Sequence, residues 1–299
     1  MTTLRSATLV LVLALAAPSF PPSGGRHEKA FWREIARNRY AVPEGEAVFP
    51  LAKELSAYLA SSDPELRDDL AYSILAAWIA DRKRFSAGEL RSLAEEWTAN
   101  LRAGIGESGL DSVFRRSFSA LCLASLAERD LETPFLGREG YRMLLDRTFE
   151  YLGREQDLRG FDAGKGWIHA TAHAGDLLAA LARSPLFTRE DQVSALRAVG
   201  ERLASAPVFT FGEQDRLARA VAAIVEREDF DREAFRGWLA EMDKTDQLVW
   251  RDSPPKTDRL ERFLNNSYFL RALVARTAQS GRPAAREAER QVLEVLARR

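Results

Sequence analysis

The hydrophobic pattern of this chain repeats with a helical period almost without interruption beyond residue 27. Apolar residues recur every three or four positions, and no run of useful length alternates between apolar and polar residues as a strand would. Glycine and proline cluster between these periodic segments. The pattern predicts an all-α protein of about a dozen helices, near residues 28–39, 46–60, 64–81, 87–102, 110–129, 138–152, 166–183, 189–204, 213–227, 231–243, 259–279 and 283–297.

Local signals indicate where several of these helices begin. The segment 63–65 combines a capping acid with proline at the first helical position. Segments 86–89 and 188–191 carry capping boxes. Most connections are short, so neighbouring helices should pack antiparallel. We expect a single domain over residues 28–299, built as an irregular HEAT-like solenoid or α/α superhelix of antiparallel helical pairs. A closed α/α arrangement or an irregular bundle is the alternative, because no strict sequence period is visible.

Composition excludes some classes of partner and site. The 299 residues suffice for a sizeable core, and 43 basic side chains balance 44 acidic ones. This near-neutral balance gives no overall attraction to nucleic acid, so we predict no nucleic-acid partner. Cys122 is the only cysteine and lies in an apolar helical run, which predicts a buried thiol. A metal site would therefore use histidine and carboxylate ligands.

The N-terminus has the pattern of an export signal. Arg5 precedes an apolar run over 7–17, and residues 14–16 read Ala-Leu-Ala, a cleavage pattern. We predict a signal peptide over 1–16, a flexible leader over 17–27 and a periplasmic or secreted protein, which the mass of the native N-terminus would test. The apolar run is too short for a comfortable membrane span, so no stable span is expected after cleavage. An uncleaved anchor or a misassigned start codon is the alternative.

Residues 164–176 read GKGWIHATAHAGD and hold two of the three histidines of the chain. A helix that begins near Gly166 places His169, His173 and Asp176 on one stripe. The other positions are almost all apolar or small, so the helix should be packed on most sides. The polar stripe then faces a cleft or a ligand.

Two kinds of chemistry fit this stripe. His169 and His173, with Asp176 as a third ligand, could bind a divalent metal. The motif is not H-E-x-x-H, because Ala170 follows the first histidine. Either imidazole could also act as a general acid or base. A hydrolase or lyase that uses the histidine pair is thus one alternative function.

An anionic ligand is a further possibility. Lys165 lies between two glycines at the predicted helix start, where free amides and the helix dipole favour an anion. Arg159 and Arg154 could add bidentate contacts. A nucleotide P-loop is not indicated, since residue 166 is glycine and no glycine precedes at the required spacing.

Trp250 lies in the polar loop 244–258, and this loop and loop 153–165 could rim one cleft. The complete set of candidate ligand-binding residues is Asp157, Arg159, Lys165, Trp167, His169, His173, Asp176 and Trp250. A structural interpretation competes with binding: the polar residues of this set could form one buried hydrogen-bonded network that fixes the loop against the helix.

The motif RGFDAGKGWIHATAHAGDLL, residues 159–178, resembles the signature of a bacterial family known as domain of unknown function 2785. The segment SSDPELRDDLAYSILAAWI, residues 61–79, is similar to the first strong helix of that family. The resemblance covers about residues 45–280 and implies an all-helical fold but no activity. We therefore expect a protein that binds a small-molecule, anionic or peptide ligand through a polar cleft around residues 157–176.

Overall fold

A computed structural model describes residues 26–299, so the predicted signal peptide lies outside the described part and export stays a prediction. The all-α class is confirmed, with twelve α-helices among these residues. Their bounds are α1 Lys29–Arg37, α2 Val48–Tyr58, α3 Ser73–Ala80, α4 Ala87–Asn100, α5 Ser112–Glu132, α6 Gly137–Arg154, α7 Ala170–Ala182, α8 Arg189–Ser205, α9 Glu213–Val225, α10 Arg232–Asp246, α11 Thr257–Thr277 and α12 Pro283–Leu296. A hairpin of β1 Phe161–Asp162 and β2 Gly166–Trp167 precedes α7.

The predicted helix starts at 63–65, 86–89 and 188–191 are confirmed. Asp63 Oδ1 accepts from the amide of Leu66 at 3.2 Å. In both capping boxes the side chain at the cap accepts from the amide three residues on, at 3.3 Å, and the carboxylate at that position accepts from the cap amide. Each device satisfies amides that the first helical turn leaves unpaired.

One departure from regular helix lies between the Asp63 cap and α3. Residues Glu65–Tyr72 form π-helical turns, and the amide of Ser73 donates to the carbonyl of Asp68, five residues earlier. The sequence predicted a continuous α-helix over 64–81. The π-turns were not recognised, because the extra residue of a π-turn shifts the apolar pattern by only one position.

From α5 onward the helices alternate between two layers. In one layer α5, α7, α9 and α11 are successive neighbours, and in the other α6, α8, α10 and α12 follow in the same order. Stacked helical pairs and a closed α/α arrangement both place alternate helices in contact in this way. The superhelical geometry itself stays a prediction.

Helix α7 occupies the centre of the first layer, between α5 and α9. All of its residues are buried, in agreement with its almost uniformly apolar sequence. Gly175 allows a close approach to α9, since a Cβ at that position would lie 2.9 Å from the backbone carbonyl carbon of Arg216.

The thiol of Cys122 is buried, as its apolar sequence context predicted. Cys122 lies on α5, and burial raises the pKa of its thiol. None of the helices within residues 26–299 has the length and apolarity needed to span a membrane.

Candidate functional site

The segment before α7 folds as a hairpin, so the prediction of a helix start near Gly166 is wrong. Phe161 pairs with Trp167 across the two strands, and Gly166 adopts a positive φ of 74°. The carboxylate of Asp162 accepts from the amides of Gly164 and Lys165 at 2.8 and 2.9 Å. These amides, predicted to bind an anion, are therefore occupied by the chain itself.

Helix α7 begins one residue after His169, which adopts a left-handed conformation with φ of 48° and ψ of 32°. Such a conformation costs a non-glycine residue on the order of 1–3 kcal/mol. The amides of Ile168 and His169 donate to the carbonyl of Gly160 at 2.9 and 3.2 Å, and the carbonyl of His169 accepts from His173. These bonds fix the junction between the hairpin and α7.

The two imidazoles lie side by side, with ring centroids 5.7 Å apart. His169 Nε2 donates to the carbonyl of Phe211 at 3.1 Å. His173 Nδ1 lies 2.8 Å from the hydroxyl of Ser117 and 3.2 Å from its carbonyl, and that hydroxyl donates to Ile168. This network assigns the proton of His173 to Nδ1. Burial lowers the pKa of both imidazoles, that of His173 to about 3, so both are neutral near neutral pH.

Within residues 26–299, Ser117 supplies the one hydroxyl that hydrogen-bonds to a histidine of the motif, and nothing in its sequence context marked it. Its distance to His173 is that of a nucleophile and its base. However, Ser117 is completely buried, and its hydroxyl proton is committed to the carbonyl of Ile168. The arrangement ties α5 to α7 and presents no reactive group at the surface.

Asp176 faces α9 and not the imidazole nitrogens. Its carboxylate accepts from Arg216 at 2.9 Å and from Arg219 at 3.0 Å. Within the described part of the chain, no three His, Cys, Asp or Glu side chains are grouped so that they could hold a metal ion. The structure thus does not bring His169, His173 and Asp176 together as the predicted metal site.

The charged residues around the hairpin form separate ion pairs. The buried carboxylate of Asp157 accepts from Arg159 at 2.6 Å and from the amide of Gly109 at 3.0 Å. Lys165 donates to Asp111 at 2.5 Å. The cations proposed to bind an anion are therefore neutralised by carboxylates of this chain. The alternative interpretation predicted that the polar residues of the motif form one continuous hydrogen-bonded network. The structure shows separate pairs instead.

Three aromatic rings lie exposed above the histidines. Phe161, Trp167 and Phe211 are 43, 41 and 44% exposed, and their ring centroids are 5.0 to 6.4 Å apart. Trp167 also stacks on His169, with centroids 4.3 Å apart and planes inclined by 25°. We call these three residues the aromatic patch. Phe211 was missed from the sequence, because it lies outside the motif, in the connection between α8 and α9.

A family model described as protein of unknown function (DUF2785) matches residues 101–275. The chain belongs to this family. The match confirms the resemblance, over a narrower range than the expected 45–280, and segment 61–79 lies outside it. The description of the family gives no activity. No curated protein and no solved structure matches the chain.

Arg67 lies in segment 61–79, before the range matched by the family model, and its side chain contacts the backbone of the family motif. Its fully buried guanidinium donates to the carbonyls of Lys165 and Trp167 at 2.7 and 3.0 Å. It also lies 4.0 and 4.7 Å from the ring centroids of Phe114 and Phe118. Burial lowers the pKa of Arg67 to about 10. The hairpin of the DUF2785 motif is thus fixed to the π-helical segment by a buried cation.

Trp250 does not join the site around the family motif. It is 58% exposed in a short 3₁₀ segment, Gln247–Arg251, and its ring packs edge-on against Phe263 with centroids 5.6 Å apart. The described residues show no ring contact between Trp250 and the aromatic patch. The structure therefore does not bring Trp250 into the predicted cleft with the motif.

Proposed function

We propose that this member of the DUF2785 family is a binding protein that docks a polypeptide partner through the aromatic patch. The observation that carries the proposal is the exposure of Phe161, Trp167 and Phe211, in mutual contact, above polar residues that are paired within the chain. Contiguous exposed apolar surface is often functional, as a site of interaction with another molecule.

Buried contacts hold the aromatic patch in place. Arg67 holds the hairpin carbonyls, and His169 lies stacked beneath Trp167. Gly160 lies so close to Phe211 and Glu213 that a Cβ would collide with both side chains. A preformed surface loses little conformational entropy on binding, which favours affinity.

The surroundings of the patch favour a peptide over a carbohydrate. Sugars need free hydrogen-bonding groups beside an aromatic platform. The polar side chains next to the patch bond within the chain: Lys165 with Asp111, His169 with the carbonyl of Phe211. Apolar contact is then the main attraction, as in the centre of a protein interface.

Two arginines of α9, the helix that follows Phe211, favour a partner with a carboxylate. Arg216, 45% exposed, donates to Asp176, and Arg219 donates to both Asp176 and Glu128, which also accepts from Arg183. Three guanidinium groups on two carboxylates leave one excess positive charge, and arginine is frequent among the residues that dominate binding. We infer that the partner segment carries an apolar or aromatic side chain next to an aspartate or glutamate.

This proposal replaces the polar cleft predicted from the sequence, because His169 and His173 are only 9 and 7% exposed. The one contact that would suit the hydrolase or lyase alternative among the described residues, between Ser117 and His173, is buried. Both imidazoles are neutral and buried, and the adjacent hydroxyl of Ser117 has no exposed surface.

A random twelve-residue peptide library displayed on phage tests the proposal. Selection on the wild-type protein should enrich sequences that place an aromatic or aliphatic residue beside Asp or Glu. Trp167→Ser should weaken the best peptide on the order of 10-fold, about 1.4 kcal/mol, in isothermal titration calorimetry. Trp250→Ser removes an equally large exposed ring outside the patch and should leave the affinity unchanged.

Circular dichroism and the melting temperature establish that both variants are folded. The proposal fails if no sequence class is enriched, or if the enriched peptides bind the folded Trp167→Ser variant as tightly as they bind the wild type.

A further inference from the structure

We propose a second, separate site: a cavity on the outer side of α6 that binds a small organic anion. The cavity has a volume of about 760 Å³ and shares no lining residue with the aromatic patch. Its walls come from the turn after α4, from α6 and from the connection before α8, and include Arg102, Arg138, Arg142, Met143, Arg147 and Leu186. A volume of this size is typical of small-molecule sites.

The lining of the cavity carries excess positive charge around one carboxylate. Four arginines and three acids line it. Glu150 alone accepts from Arg102 at 2.6 Å, from Arg147 at 2.6 Å and from Arg154 at 2.9 Å. Three guanidinium groups share one carboxylate, so their donors exceed what Glu150 can accept. An anionic group in the cavity would use the remaining donors.

Arg138 gives the cavity a cation without a partner. Among residues 26–299, no carboxylate oxygen lies within 4.0 Å of its guanidinium nitrogens, although Arg142 beside it pairs with both Asp146 and Asp191. Arg138 lies in the first turn of α6. The amide of Leu136, just before that turn, donates to Asp130 Oδ1 at 2.8 Å, so the guanidinium of Arg138 and not the helix dipole supplies the attraction for an anion.

The remaining walls accept an apolar group. Met143 is 46% exposed at the cavity, and Leu186 lines it from the connection before α8. The hydroxyl of Tyr141 donates to the carbonyl of Leu181, which leaves the ring as its contribution to the cavity. The combination predicts a ligand with a flat or aliphatic body and one carboxylate, sulfonate or phosphate group.

Glu139 is the lining acid that opposes this assignment, and it makes the charge dependence testable. No cation lies within 4.0 Å of its carboxylate in the described residues, so it repels a bound anion without compensation. Removing Glu139 should therefore strengthen anion binding, whereas removing Arg138 should weaken it.

Calorimetric titration with naphthalene-2-sulfonate at low ionic strength tests the site. We expect it to bind at least about 10-fold more tightly than either neutral naphthalene-2-methanol or inorganic sulfate, because only it uses both the apolar wall and the arginines. Arg138→Gln should weaken it about 10-fold, and Glu139→Gln should tighten it about 3-fold.

Two control variants establish that the sulfonate binds in this cavity and not elsewhere on the protein. Arg232→Gln removes an exposed guanidinium that pairs with Glu287 on a different part of the surface and should change nothing. Trp167→Ser should also leave sulfonate binding intact, so failure of this site and failure of the aromatic patch are distinguishable. The proposal is overturned if the sulfonate does not bind, if Arg138→Gln binds it as the wild type does, or if the neutral alcohol binds equally well.

Discussion

The imidazole of His173 lies among Ser117, Phe118 and His169, and within residues 26–299 its ring makes hydrogen bonds only through Nδ1, to Ser117. Burial is the main cause that lowers the pKa of this imidazole to about 3, and the adjacent His169 lowers it further. The native packing thus favours the neutral imidazole of His173, because a second proton, on Nε2, would place a positive charge between α5 and α7.

The burial of His173 should make stability depend on pH. In the unfolded chain a histidine ionises near pH 6.5, so between pH 6.5 and about 3 the unfolded state binds the extra proton. The free energy of unfolding therefore falls as the pH drops through this interval, by about 2 kcal/mol at pH 5. Urea denaturation of the wild type at pH 7.5 and pH 5 measures the loss.

His173→Asn is the matched control, because its amide can still donate to Ser117 but does not titrate. The stability advantage of the wild type over this variant should shrink by about 2 kcal/mol between pH 7.5 and pH 5. A constant difference between the two proteins would show that His173 does not bind its proton preferentially in the unfolded state.

The sequence marks the motif around His169 and His173 but not the partners of its side chains. The spacing of His169 and His173 correctly placed their rings together. Ser117 and Arg216 lie 56 and 40 positions from the motif residues they bond. Hydrophobic period and local spacing carry no information about such distant contacts, and these contacts decide whether a polar group is free for a ligand.

Among the elements, the hairpin is one that the sequence pattern did not predict. Strands of two residues are too short for an alternating pattern to appear, so the apolar residues after Gly166 suggested a helix. The hairpin exists because Phe161–Trp167 pairing, the Asp162 turn and the donors of Arg67 act together. Long helices with strong period and capping residues, such as α4 and α8, begin as predicted.

Arg67 should therefore control the hairpin as well as global stability. Arg67→Met keeps much of the apolar volume but leaves buried carbonyls without donors, and should lower the free energy of unfolding by about 3 kcal/mol. The amides of Ile168 and His169 should exchange faster with deuterium, because the hairpin that holds their acceptor loosens.

Arg91→Met is the comparison, since Arg91 also donates to a carbonyl, that of Phe135 at 3.2 Å, but from an exposed part of α4. It should cost less than about 1 kcal/mol and leave the hairpin unchanged. Equal protection of the hairpin amides in Arg67→Met and the wild type would contradict the role assigned to Arg67.

For the whole molecule, the range matched by the family, 101–275, includes α5 to α10 and most of α11. Periodicity predicted the helices, and short connections predicted antiparallel neighbours. Neither indicates how one pair is rotated against the next, so the sequence left both a stacked superhelix and a closed arrangement open.

Native-state hydrogen exchange at increasing urea concentration distinguishes these two architectures. In a stack, each helix is stabilised by its immediate neighbours, so segments near the ends open at lower cost than central ones. We expect the slowest exchange in α7, which is buried throughout and packed between α5 and α9, and progressively faster exchange towards α1 and α12. A closed arrangement unfolds as one unit, and exchange at a single opening free energy from α1 to α12 would show that the stacked interpretation is wrong.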